Sequence, residues 1–219
     1  MKQLKILSAV GLLALAGTAN AGFSSTITAT NDYDFRGITQ SSEDPALQAS
    51  ADFALDSGFY VGAWASTIKF DNFDADVEVD GYAGFTGKIG EATTWDAGLI
   101  YYASPGESDA NSAEVYGSLA WKILKGKVSY SNDWAGTDES SLYLDASVNV
   151  PLGEMFSIQA HIGQSSGDAY GDEEILDYSA GVGLNISHFA FVLKYVDTDR
   201  DNADDGRAIL TVATTLPWK

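Results

Sequence analysis

The sequence predicts an all-β chain: a transmembrane up-and-down antiparallel β-barrel of about twelve strands, following an N-terminal signal peptide. Three observations predict it. Segments of roughly ten residues alternate apolar and polar along most of the chain. The links between them alternate short and long, and aromatic residues gather at both ends of the segments. No stretch after residue 21 approaches the ~18 apolar residues of a spanning helix. A chain that crosses lipid must then close its strands, because only closure pairs every backbone N–H and C=O there.

Lys2 and Lys5 precede an apolar run over 6–16, and Ala19-Asn20-Ala21 has the small-x-small form of a cleavage site. Residues 1–21 therefore read as the signal peptide and 22–219 as the barrel. The apolar run is too short for an anchor, and no Cys follows it. Export carries the protein beyond the inner membrane of a bacterium, where a chain without cysteine has no disulfide to hold it. The 219 residues include 12 Lys+Arg against 31 Asp+Glu, and losing Lys2 and Lys5 moves the net charge from −19 to −21. Nucleic acid is excluded as a partner, since its phosphates need a basic footprint.

The first segment places Phe23, Ser25, Ile27, Ala29, Asn31, Tyr33 and Phe35 on one face, with Thr26, Thr28, Asp32, Asp34 and Arg36 on the other. The second places Leu47, Ala49, Ala51, Phe53 and Leu55 against Gln48, Ser50 and Asp52. Both are near the ~9–11 residues a tilted strand needs to cross a bilayer. Further segments lie at 59–70, 77–85, 95–102, 113–121, 127–132, 142–150, 156–163, 176–186, 189–196 and 208–216. The clearest sets Leu176, Tyr178, Ala180, Val182, Leu184 and Ile186 against Asp177, Ser179, Gly181, Gly183 and Asn185. In 59–70, Tyr60, Trp64 and Ile68 compete with Phe59, Val61 and Ala63 for the apolar face. The 127–132 segment is weak, which leaves ten strands as the alternative count.

Short links fall at 56–58, 87–94, 122–126, 151–155 and 187–188, and long acidic ones at 38–46, 71–76, 103–112, 133–141, 164–175 and 197–207. Such sorting suits an outer-membrane barrel with its turns in the periplasm. Tyr33, Phe35, Phe70, Tyr101, Tyr102, Tyr130, Trp134 and Tyr195 are expected as one interfacial belt, with Trp95, Trp121 and Trp218 as the other. The apolar faces of the well-patterned strands carry no charge, as hydrocarbon demands.

The run Asn31-Asp32-Tyr33-Asp34-Phe35-Arg36-Gly37-Ile38-Thr39-Gln40-Ser41 is the most specific stretch, followed by Asp44-Pro45-Ala46-Leu47-Gln48 and Ser57-Gly58-Phe59-Tyr60-Val61-Gly62-Ala63-Trp64-Ala65-Ser66. In these the chain resembles the TorF-family porins, also called the Gcw_chp family, and the resemblance extends over nearly all of the mature chain. It implies a Gram-negative outer-membrane barrel with a channel role, and the family name points toward trimethylamine N-oxide respiration. One departure is Trp218-Lys219, since outer-membrane strands usually end in an aromatic residue. Trp218 would serve the outer-membrane insertion machinery from one place earlier.

With the oily residues outward, the wet faces line the lumen. The expected pore-lining set is Asp32, Asp34, Arg36, Asp52, Glu78, Asp80, Asp96, Glu114, Lys127, Asp145, Asp177, Lys194 and Arg207. Acidic rings favour cations. The expectation is a porin for passive diffusion of small hydrophilic solutes, preferring cations or tolerating small zwitterions such as amine oxides. Arg36 reads either as a constriction residue or as an ion pair with Asp32 and Asp34 on its own strand. The alternative is a non-conducting structural or surface-binding barrel whose charges plug the lumen. A phospholipase-type enzyme is disfavoured: His161 sits on the wet face with Ser157 and Gln159, and His188 lies in a turn. Residues 197–206 place carboxylates as a Ca²⁺ loop begins, but Asn202 and Ala208 stand where Gly and Glu are needed. Neither a metal site nor a cofactor is expected. The expected partners are outer-membrane lipid and lipopolysaccharide, the latter through divalent ions at acidic loops.

Overall fold

In the computed structural model, which describes residues 22–71, 73–171, 173–200 and 206–218, twelve wall strands close into one antiparallel barrel. They are β1 (Gly22–Thr30), β4 (Ala46–Ala54), β5 (Phe59–Thr67), β6 (Val77–Ile89), β7 (Thr93–Ala103), β8 (Ser112–Trp121), β9 (Leu124–Ser131), β10 (Ser141–Leu152), β11 (Phe156–Ser166), β12 (Ile175–Ile186), β13 (Phe189–Thr198) and β14 (Arg207–Leu216). Two short strands, β2 (Asp34–Phe35) and β3 (Ile38–Thr39), form a separate hairpin between β1 and β4. Each wall strand pairs with its neighbours along the chain, and β14 returns to β1 with Thr26 opposite Thr215 and Thr30 opposite Thr211. The expected signal segment 1–21, and residues 201–205 of the acidic run, lie outside the described residues.

The weak segment is a full strand, so the count is twelve. It extends back to Leu124 because the alternation continues: Leu124, Val128 and Tyr130 are exposed, while Lys125 and Lys127 are half-buried. Short links occupy 55–58, 90–92, 122–123, 153–155 and 187–188 at one end, and the long links all stand at the other. Along the outer surface, Leu99, Val115, Val182 and Leu193 are each more than half exposed, with Phe23, Phe85, Leu119 and Ile162 beside them. This is the apolar band that a bilayer would cover.

The first strand departs from its pattern. Alternation runs on to Arg36, yet β1 stops at Thr30. There the Asn31 side chain takes over the ladder: its Nδ2 donates to Ala208 O at 3.1 Å and its Oδ1 accepts from Leu210 N–H at 2.6 Å. With the wall's hydrogen bonds met by an amide side chain, the backbone turns inward. The hairpin it forms reverses at Arg36 and Gly37, whose φ values of 52° and 80° are the left-handed pair of a type I′ turn.

Inside, the wall is not simply wet. Tyr60, Tyr82 and Tyr116 are buried with Ile100 and Ala54, and Trp64 and Tyr102 pack on them. Each of these tyrosines lies over a glycine directly opposite in register, as Tyr60 with Gly84, Tyr82 with Gly62 and Tyr116 with Gly98. A Cβ on Gly62 would fall 2.5 Å from the Tyr82 ring, and one on Gly98 2.6 Å from the Tyr116 hydroxyl. The glycines therefore give the rings room to lie flat along the wall. This resolves the ambiguous 59–70 segment, in which both faces are apolar because the inner one carries rings.

Gly98→Val should destabilise the barrel by ~1–3 kcal/mol through overpacking, lowering the temperature at which the folded form loses its fast migration in unheated detergent gels. Gly81→Val, where the Cβ meets open space, should leave that temperature unchanged.

Candidate functional site

The lumen is organised around the inward hairpin. Its tip lies against β12 and β13: a Cβ on Gly37 would meet Thr198 Cβ at 2.8 Å and Asp177 Cβ at 2.9 Å. Arg36 Nη2 is 2.5 Å from Glu114 Oε2 on β8, and the two side chains are 8% and 1% exposed. The guanidinium carbon lies 4.1 Å from the Tyr143 ring centroid and 4.8 Å from those of Phe35 and Trp134. Asp34 takes Arg207 Nη2 at 2.7 Å and Lys194 Nζ at 3.3 Å, while Asp32 takes Arg207 Nε at 3.1 Å. Arg207 Nη2 also donates to Gly37 O at 3.1 Å. Every charge on the hairpin thus meets an opposite one on the wall, the condition for burying ions.

The base of the hairpin is fixed separately. Thr39 and Ser41 hydroxyls donate to Asp32 Oδ1 at 2.6 and 3.2 Å, and Tyr33 N–H donates to Ser41 Oγ at 3.0 Å. Tyr33 is buried edge-on against Trp64, with ring centroids 5.3 Å apart. At the exposed rim Lys69 Nζ bonds Asp44 Oδ2 at 2.5 Å, which holds its ammonium above the usual lysine range. Such a solvent-exposed pair contributes little to stability.

A second group of carboxylates lies on the wall from β4 to β7. Tyr60 donates to Asp96 Oδ1 at 2.8 Å, Tyr33 to Glu78 Oε1 at 2.9 Å, and Tyr82 to Asp52. Asp80, fully buried, faces inward between Trp64 and Tyr102 in register. Among the described residues none of these four forms a salt bridge. Phenols hydrogen-bond Asp52, Glu78 and Asp96, but none bonds Asp80.

Further round, His161 bridges two acids: Nδ1 meets Asp145 Oδ2 and Nε2 lies 2.7 Å from Asp177 Oδ1, with the Tyr143 hydroxyl 3.1 Å from Asp177 Oδ2. Lys127 Nζ stands 4.9 Å from the Tyr116 ring centroid. With Lys125 and Asp96 it lines a small cavity of about 20 Å³ toward the short-turn end. A larger hollow of about 590 Å³ opens among the outer loops, beside Asp109, Asn111 and Asp133.

Of the thirteen expected residues, Asp32, Asp34 and Arg36 lie on or at the base of the hairpin and the other ten on wall strands, and two expectations are corrected. Arg36 does not pair with Asp32 and Asp34 along its own strand; the inward turn carries it to Glu114, while Arg207 and Lys194 take the two aspartates. The outer belt is also smaller. Tyr101, Tyr130 and Tyr195 face outward and exposed, but Tyr33, Phe35, Tyr102 and Trp134 pack inside and Phe70 lies on Phe73. The tyrosines capping carboxylates were missed; their signal was an aromatic residue at an inward position opposite a glycine.

A closed twelve-stranded barrel with an apolar exterior and a charged interior defines a porin-like β-barrel. Residues 14–214 match the Gcw_chp family, described as a bacterial protein of unknown function, and the chain belongs to that family. No curated protein matches it in sequence. Among solved structures it is similar to the KdgM porin in complex with disordered oligogalacturonate, with a TM-score of 0.60 at 9% identity, over 88% of this chain and 98% of that one. It is also similar to the NanC porin, with a TM-score of 0.58 at 13% identity, over 89% and 99%. At such identities the likeness is one of fold.

Asp34→Ala should leave Lys194 buried without its partner and Arg207 with Asp32 alone, and loosen the hairpin. Trypsin added to the folded barrel should then release a fragment ending at Arg36, seen by mass spectrometry, several-fold faster than from the wild type. Equal rates would mean that the ion pairs do not hold the hairpin.

Proposed function

We propose that the chain is an outer-membrane channel for passive diffusion of small hydrophilic solutes, preferring cations and admitting small zwitterions such as amine oxides. The observation that carries this reading is the wall of Asp52, Glu78, Asp80 and Asp96, acids with no ion pair among the described residues, three of them hydrogen-bonded by phenols. Fixed negative charge inside a narrow low-dielectric wall attracts cations and repels anions. KdgM is described with oligogalacturonate, an acidic sugar. Such a solute would meet like charge here, so the solute class differs in this reading.

The apolar band, with the export signal expected from the sequence, supports the outer membrane as the location, with the short turns in the periplasm. Acidic loops at the other end would meet lipopolysaccharide through shared divalent ions. His161 supports a non-enzymatic reading, because both ring nitrogens face carboxylates and neither is left to activate a serine. A second reading, a non-conducting barrel, is favoured by one feature: the hairpin bars the lumen from β1 and β4 to β8 and β12.

In planar bilayers under a salt gradient, the purified chain should give a zero-current potential of cationic sign. Asp52→Asn with Asp96→Asn should move that potential toward zero without changing the barrel's gel migration. An anionic potential would overturn the selectivity, and absence of current in every variant would favour the plugged barrel.

A further inference from the structure

The surroundings of Arg36 resemble a receptor more than a structural ion pair. Glu114 offers a carboxylate at 2.5 Å, and the Tyr143 and Trp134 rings bring their faces to 4.1 and 4.8 Å of the guanidinium carbon. Phe35 stacks on Trp134 at 6.1 Å with 13° between planes, which closes the box from the hairpin's own side. A carboxylate flanked by flat π-faces is the chemistry that selects a planar, weakly hydrated cation over a compact ammonium. Three of its parts come from the barrel: β8, the 132–140 loop and β10. The occupant comes from the hairpin.

The occupant fits incompletely. Arg36 Nη1 is buried and has no hydrogen-bond partner among the described residues, so only part of its donor fork is used there. Its own backbone is in the left-handed region at φ 52°, where a non-glycine residue is strained. A free cation would carry neither burden, because it can rotate in the box until its donors are met.

We propose that Glu114, Trp134 and Tyr143 form a recognition site for guanidinium-type cations, which Arg36 occupies as an internal ligand that an entering solute displaces. The proposal rests on the channel reading and adds to it a solute class and a route for moving the hairpin. Displacement frees the hairpin tip, leaving its ties through Asp34 and Asp32 as the hinge side.

The test uses the full mature chain in detergent and in planar bilayers, with methylguanidinium as the probe. Arg36→Ala vacates the box. Arg36→Met is a second vacating variant that keeps the apolar stem, in case the smaller side chain impairs folding. Apparent affinity falls by the fraction of time the internal ligand occupies a site. Methylguanidinium should therefore bind the Arg36 variants on the order of tenfold more tightly than the wild type, read as a rise in unfolding temperature. Glu114→Gln added to either variant should abolish that rise, and methylammonium should not reproduce it. In bilayers the Arg36 variants should conduct several-fold more than the wild type, with methylguanidinium blocking the gained current. Variants that conduct yet ignore methylguanidinium, or a response that survives Glu114→Gln, would overturn the box. Variants stabilised by methylguanidinium that pass no current would keep the box as a cation site and remove the channel reading.

Discussion

Hydrocarbon offers no hydrogen bonds, so the pairing of β14 with β1 is the constraint on which the rest depends. Closure removes every sheet edge, and the strict period of two then fixes which side chains face lipid. What remains is an interior that twelve strands cannot fill with wall side chains alone. Tyrosines laid over opposing glycines line part of it, and the hairpin after β1 spans the outer part.

Bringing the hairpin inside means burying Asp32, Asp34 and Arg36, and each buried ion without a partner would cost several kcal/mol. The wall supplies Arg207, Lys194 and Glu114 where they are required. The interior is thereby divided. The strands β8 and β12 to β14 carry residues committed to the hairpin or to His161, whereas β4 to β7 keep acids that form no salt bridge among the described residues. In the proposed channel, structure and selectivity would use different arcs of the same wall.

Most of the barrel was legible because lipid imposes alternation over whole strands. Leu176 to Ile186 could be read residue by residue, and link lengths gave the ends. The hairpin was not legible, because Asn31 to Arg36 continue the alternation of β1 without a break. The turn signal at Arg36-Gly37 was present, but a period of two cannot distinguish a strand in the wall from one folded into the lumen. Arg36 and Glu114 are 78 positions apart, a separation that carries no local pattern. Aromatic belts were overread for a related reason: Trp134 and Tyr102 prefer an interface in general, yet here the interior offers them Arg36 and Phe35.

The division of the wall also bears on what the lumen becomes when the hairpin leaves. In a ring of twelve strands β14 and β8 are six apart, hence diametrically opposed. Withdrawal of the hairpin would uncover Arg207 with Lys194 on one side and Glu114 on the other, next to the acids of β6 and β7. Their charges would then point across the lumen, cationic toward β13 and β14 and anionic toward β6 to β8. A transverse field of this kind orients a solute that carries both signs, and its acidic excess still favours net positive charge. In the proposed channel, cation preference and tolerance of zwitterions would thus follow from one arrangement, the unequal sharing of counter-charges between wall and hairpin.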